Sequence, residues 1–297
     1  MSLRFAAIDI GSSAIRLLLS NVYVKKPEPL IKKISLIRVP IRLGEDVFST
    51  GVISDEKTES LIQAMRSFKN LMEVFKIIDF KACATSAMRE ALNGQNVVAK
   101  IKKETGIHIE IINGDMEADI IFSSHLCDQF NDKKSYLYID VGGGSTELTL
   151  FSKDKKIASN SFDIGTVRML QHKVNKDEWV RLKKWISKNI QGVKNLVAMG
   201  TGGNINKLAK LAEKKENKCI SFEKLLEVDA YLNKFTYKER VEILGLNPDR
   251  ADVIIQASKV FLTIMHTADI KKIYVPQVGL SDGIIKTTYE EWMQKNR

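Results

Sequence analysis

The chain is poor in the residues that build metal centres. Its 297 residues include three cysteines and four histidines. Cys83, Cys127 and Cys219 lie far apart and form no CxxC or metal-finger spacing, so buried or partly buried thiols are expected. His108, His125, His172 and His266 are equally scattered, and no zinc site is expected from them. No apolar run approaches the ~20 residues needed to span a bilayer. The amino-terminal MSLRFAAIDIGSS enters a strand-like pattern at once, without the apolar core of a signal peptide. A cytoplasmic protein with no membrane partner is therefore expected. Also missing are an arginine block and any basic stretch interleaved with aromatics, which argues against nucleic acid as a partner. The formal net charge is nevertheless +10 and the isoelectric point about 9.3. Lysine pairs such as Lys32-Lys33, Lys102-Lys103, Lys183-Lys184 and Lys214-Lys215 are spread along the chain, so most of this charge reads as solvated surface. What remains favours polyanionic partners by long-range steering.

Hydrophobic residues make up 44% of the chain, enough to bury a sizeable core in one large domain or two ordinary ones. Periodicity gives α/β alternation with short connections. Strands are expected over 3–10, 15–22, 33–42, 80–85 and 107–112, and helices over 56–76, 94–105 and 115–128. The polar stretch QFNDKKS at 129–135 breaks the pattern, and a boundary is placed at about 122–133. The domains are read as 1–124 and 125–297. Beyond the boundary, strands are expected over 136–141, 147–151 and 273–277. Helices are expected over 177–191, 203–213, 222–234, 237–244, 250–267 and 282–295, the last with Ser281 as N-cap. The second half reopens as the first did. FAAIDIGSSAIRLLL at 5–19 aligns without gaps on YLYIDVGGGSTELTL at 136–150, matching Asp9 to Asp140, Gly11 to Gly142 and Leu17 to Leu148.

The glycine turns lack a lysine. A P-loop requires GxxxxGK[ST] opening a helix, and a dinucleotide fingerprint requires GxGxxG opening a helix. Here ELTLF follows, a strand. What remains is a glycine-rich β-hairpin whose successive backbone N–H groups can form an anion nest, with hydroxyls from Ser145 and Thr146. Two such hairpins, one per half, can grip a phosphate chain across a cleft. Asp9 and Asp140, each just ahead of its turn, are placed to hold Mg²⁺, which commonly uses one or two carboxylates plus phosphate oxygens and water.

The duplicated hairpin resembles the actin, Hsp70 and sugar-kinase superfamily. ATSAMREALN (84–93), INGDMEA (112–118), IDVGGGSTEL (139–148), FDIGTVRM (162–169), MGTGGN (199–204) and LGLNPDRADVI (244–254) narrow the match. In that order they resemble the exopolyphosphatase and guanosine-pentaphosphate phosphatase family, over essentially the whole chain and at the length of its short members. The resemblance implies two actin-like (ribonuclease H-like) α/β domains with an inter-domain cleft, Mg²⁺ as cofactor and hydrolysis of a phosphoanhydride. It implies Glu117 as the base that deprotonates the attacking water, and Arg89 as a contact to substrate phosphate. It implies phosphate binding by Gly11, Ser12, Ser13 and Arg16 in the first hairpin, and by Gly142, Gly143, Gly144, Ser145 and Thr146 in the second. Asp140, Glu147 and Asp9 are the expected metal residues. The same analogy implies a homodimer. Four positions depart from the family pattern. The first turn reads Gly11-Ser12-Ser13-Ala14 instead of GSNS. Asp119 stands where an arginine is usual, Asn204 where a threonine is usual, and Gly279-Leu280-Ser281-Asp282-Gly283 lacks the arginine of GLREG. The leading reading is release of terminal phosphate from inorganic polyphosphate. The alternatives are removal of the 5′-terminal phosphate of guanosine pentaphosphate, a non-catalytic sensor, and a small-molecule kinase of the same superfold.

Overall fold

A computed structural model describes residues 2–24, 28–123, 134–152, 155–212, 219–276 and 278–296. Cys127, His125 and most of the expected boundary at 122–133 lie outside the described residues. Contacts divide the chain into two compact units, Met1–His125 with Gly279–Arg297, and Leu126–Val278.

The first unit runs β1 (Ser2–Ile10), β2 (Ile15–Tyr23), β3 (Leu30–Val39), α1 (Leu43–Thr50), α2 (Asp55–Val74), β4 (Asp79–Ala84), α3 (Ser86–Glu90), α4 (Gly94–Thr105), β5 (Ile109–Ile111) and α5 (Gly114–Ser123). Its sheet has the order β3-β2-β1-β4-β5, antiparallel from β3 to β1 and parallel from β1 to β5. Residues Phe5 to Ile10 of β1 are all buried, as a central strand covered on both faces requires. α2 shows how the flanking helices are specified. Ser54 caps it by accepting from the Lys57 N–H, Asp55 and Glu56 complement the dipole, and Leu61, Met65, Phe68 and Met72 form the buried stripe.

The second unit runs β6 (Ser135–Val141), β7 (Thr146–Ser152), β8 (Lys155–Phe162), α6 (Thr166–Leu170), α7 (Lys176–Ile190), β9 (Leu196–Thr201), α8 (Gly203–Leu211), β10 (Cys219–Ser221), α9 (Phe222–Leu232), α10 (Tyr237–Glu242), α11 (Pro248–Ala251), α12 (Ile254–Thr267) and β11 (Lys272–Tyr274). Read from β8, its sheet runs β8-β7-β6-β9-β11-β10, so the first five strands repeat the order and direction of the first unit's sheet. The repeat read from fifteen residues of sequence thus extends to the strand topology. α12 is buried through Ile254, Ala257, Val260, Phe261, Ile264 and Met265, and it anchors this unit's core.

The terminal helix α13 (Leu280–Lys295) differs from expectation in two ways. It groups with the first unit, although 125–297 was read as one domain. Phe5 of β1 packs edge-on against Tyr289 and Trp292, and Lys81 of β4 pairs with Glu291 at 2.6 Å. The helix also begins earlier than Ser281. Gly279 is its N-cap, and the Gly279 N–H donates to the Asp282 carboxylate at 3.0 Å. The helix expected over 250–267 is two pieces, α11 started by Pro248 and α12.

Candidate functional site

In the first unit, register sets four chemically active side chains side by side across the strands. Arg16 of β2 is opposite Asp9 of β1, Asp9 is beside Cys83 of β4, and Cys83 is beside Glu110 of β5. Asp9 is buried, and Arg16 donates from Nη1 to Asp9 Oδ2 at 2.7 Å. The turn after β1 closes through the Gly11 N–H on the Ala14 carbonyl at 3.1 Å. Ser12 is buried with its Oγ 2.8 Å from Ser86 Oγ at the start of α3, while Ser13 is partly exposed.

Glu117 sits in the first turn of α5 and is only 8% exposed. Two contacts fix that turn. Asn113 Oδ1 accepts from the Met116 N–H at 2.8 Å, and Arg89 Nη1 donates to the Ile112 carbonyl at 2.9 Å. Arg89 therefore ties α3 to the residue that leads into α5. The environment is acidic. Burial pushes the Cys83 thiol up to about 12, and the carboxylates of Glu110, Asp9 and Glu117 add to the effect against Lys81. The carboxylates of Asp9 and Glu117 thus act on the same thiol.

The second unit repeats the pattern with different chemistry. Asp140 of β6 is opposite Glu147 of β7 and beside Thr201 of β9, and Glu147 is opposite Ser161 of β8. Glu147 is buried, and its Oε1 accepts from Ser145 Oγ at 2.6 Å and Ser161 Oγ at 2.9 Å. The turn closes through the Gly142 N–H on the Ser145 carbonyl at 2.9 Å. Thr146 is fully buried and its hydroxyl donates to the Ile164 carbonyl. A hydroxyl has one proton to give, so Thr146 serves the scaffold here. At the start of α8, Gly202 adopts φ +92°, and a Cβ there would stand 3.0 Å from Asp140 Oδ1. Arg250 donates from Nη1 to Asn204 Oδ1 at 2.5 Å, and its guanidinium lies against Gly203.

Among the described residues no group of three or more His, Cys, Asp or Glu side chains is arranged to hold a metal ion. Asp140 and Glu147 are nevertheless adjacent carboxylates in register. That hard-oxygen pair fits a Mg²⁺ ion, which would also draw on phosphate oxygens and water.

In the first unit Asp9 meets Arg16 and acts with Glu117 on Cys83, while Arg89 reaches the Ile112 carbonyl; in the second, Asp140, Ser145 and Glu147 are neighbours. Sequence reasoning gave no role to two glycines that abut the turns. Gly44 of α1 donates its N–H to the Ser12 carbonyl at 2.9 Å, and a Cβ there would meet Ser12 Cβ at 3.1 Å. A Cβ at Gly165, just ahead of α6, would overlap the Gly143 and Gly144 backbone. Both glycines follow the third strand of their unit. Gly165 lies within the motif FDIGTVRM (162–169), whereas no motif marks Gly44. Among the described residues no helix is long and apolar enough to cross a membrane.

Comparison with known proteins places these features. A model described as the Ppx/GppA phosphatase family matches residues 22–291. The chain is 29% identical over 286 residues to a bifunctional 3-dehydroquinate synthase/phosphatase of Fusobacterium nucleatum, covering 88% of this chain but 43% of that protein. It is 26% identical over 310 residues to exopolyphosphatase 2 of Mycobacterium tuberculosis, covering 95% of this chain and 97% of that protein. A crystal structure of an exopolyphosphatase-like protein superposes with a TM-score of 0.83 at 26% identity, covering 98% of this chain and 99% of that one. The two units are accordingly two actin-like domains.

Proposed function

This chain belongs to the Ppx/GppA phosphatase family, and we propose that within it the protein is an exopolyphosphatase, releasing terminal phosphate from inorganic polyphosphate with Mg²⁺. The observation that carries the reading is Glu117. It is a buried carboxylate, fixed by the Asn113 cap and by Arg89 through Ile112, in the unit that also holds the first phosphate turn.

In this reading Glu117 takes a proton from a water as its oxygen attacks the terminal phosphorus. The new P–O bond forms as the phosphoanhydride bond breaks, and the leaving oxygen carries its electron pair away on the shortened chain. The protein's remaining task is positioning and charge compensation. Gly11, Ser12 and Ser13, and Gly142, Gly143, Gly144 and Ser145, offer backbone amides to phosphate oxygens. Arg16 donates to Asp9 and Arg89 to the Ile112 carbonyl, and in this reading both guanidinium groups also contact phosphate oxygens. Asp140 and Glu147 would hold Mg²⁺, with Asp9 at the corresponding place in the first unit. The ion, when bound, supplies positive charge to the phosphoryl oxygens.

The deciding experiment is phosphate release from long-chain polyphosphate with Mg²⁺ present, with guanosine pentaphosphate run in parallel. Release from polyphosphate is expected. Release from the nucleotide alone would move the substrate to guanosine pentaphosphate. Release from neither, with both bound, would contradict the hydrolase reading. It would leave a ligand-binding sensor, the reading that Asp119 and Ser281 favour where arginines were expected.

A further inference from the structure

We propose that Arg168, with Gly165, is a positioning residue that presets the second glycine turn by holding its carbonyls to one side. This deepens the phosphate-binding reading and rests on it only for what the turn binds. Three consecutive turn carbonyls accept from one short segment. The Thr166 N–H reaches the Gly142 carbonyl at 3.0 Å, and the Val167 and Arg168 N–H groups reach the Gly143 carbonyl at 2.9 and 3.2 Å. The third carbonyl, that of Gly144, accepts from the Arg168 side chain through Nε at 2.9 Å. In a planar trans peptide the N–H points opposite to the C=O of the same unit. Fixing the carbonyls of 142, 143 and 144 on α6 therefore turns the N–H groups of Gly143, Gly144 and Ser145 to the other side together. That is the geometry of an anion nest, assembled before any ligand arrives.

The clamp depends on close approach. A Cβ at residue 165 would overlap the turn backbone, so only glycine lets the segment come near enough. It also depends on a side chain, because backbone donors hold only the first two carbonyls. The Arg168 side chain is 12% exposed and has Asp163 at 4.0 Å, which helps to orient it. The first unit has a lesser version, in which the Gly44 N–H holds the Ser12 carbonyl. Of the two turns, the second is therefore held at more points.

The test compares wild type with Arg168→Met, which keeps the apolar stem and loses the donors, and with Arg168→Lys, which keeps the charge and loses Nε. Amide resonances of Gly143, Gly144 and Ser145 are followed by NMR in ligand-free protein, together with the melting temperature. Calorimetric titration with tripolyphosphate follows. Both variants are expected to shift the three amide resonances while remaining folded. Both are expected to weaken tripolyphosphate binding about tenfold, on the scale of one hydrogen bond to a charged group. Unchanged turn amides in Arg168→Met, or full recovery of binding in Arg168→Lys, would overturn the positioning role. If wild type neither binds tripolyphosphate nor releases phosphate, the phosphate reading fails. The ligand-free amide shifts still decide the clamp.

Discussion

Burial and register decide what single residues do here. Cys83 is the clearest case. Its thiol is pushed from 9.0 to about 12, first by burial and then by the surrounding carboxylates. The sign follows from linkage: folding favours the protonated thiol. That contribution to stability is complete below 9.0, the unfolded value, and is lost as pH rises through about 12. Below 9.0 the native thiol is also inert, since the thiolate is the nucleophile. Iodoacetamide in native buffer should therefore label the half-exposed Cys219 well ahead of the buried Cys83. Comparable labelling of the two, read by peptide mapping, would contradict this environment. Residue identities were the most legible layer of the sequence, because Asp9, Asp140 and the glycines sit in a gap-free repeat. Partners were less legible. That Arg16 lies on Asp9, and that Thr146 gives its proton to Ile164, depends on strand register and on a loop eighteen residues away.

At the scale of elements, most strands and helices followed from periodicity, and the exceptions have separate causes. β8 was missed because it is half exposed, with a burial pattern that lacks clean alternation. α1 was missed because it starts from Arg42 in a left-handed conformation, without the side-chain cap that marks a helix start in sequence. The membership of α13 was hidden because it is fixed by distant contacts. Its Gly283 is the tightest of these, since a Cβ there would overlap the Ile120 carbonyl of α5. Ile120 is one turn beyond Glu117, so packing at Gly283 bears on the proposed base. Gly283→Ala should cost about 1–3 kcal/mol, as overpacking does, visible as a lowered urea midpoint. It should also lower kcat more than it raises KM, by displacing α5. An unchanged midpoint and unchanged kinetics would show that α13 and α5 do not constrain each other.

At the scale of the whole molecule, one topology is used twice with different chemistry in each copy. The first unit contributes the buried Glu117 and acidic surroundings for Cys83, and the second a clamped glycine turn with paired carboxylates. The family and the duplicated fold were legible in the ordered motifs, whereas the clamps on the turns were not, because they are tertiary contacts of single glycines. The net charge of +10 belongs to this scale as well. If it assists capture of a polyanion, KM for polyphosphate should rise with salt while kcat holds, as the Debye length falls from ~10 Å at 0.1 M to ~3 Å at 1 M. A salt-independent KM would make the charge a matter of solubility alone. Hydrolysis as proposed depends on Glu117 as the base. Its most direct test is phosphate release from long-chain polyphosphate by Glu117→Gln, measured beside tripolyphosphate binding by the same protein. The account predicts at least ~100-fold slower release, the low end for a lost general base, with binding retained. Release at the wild-type rate by a folded Glu117→Gln would contradict it.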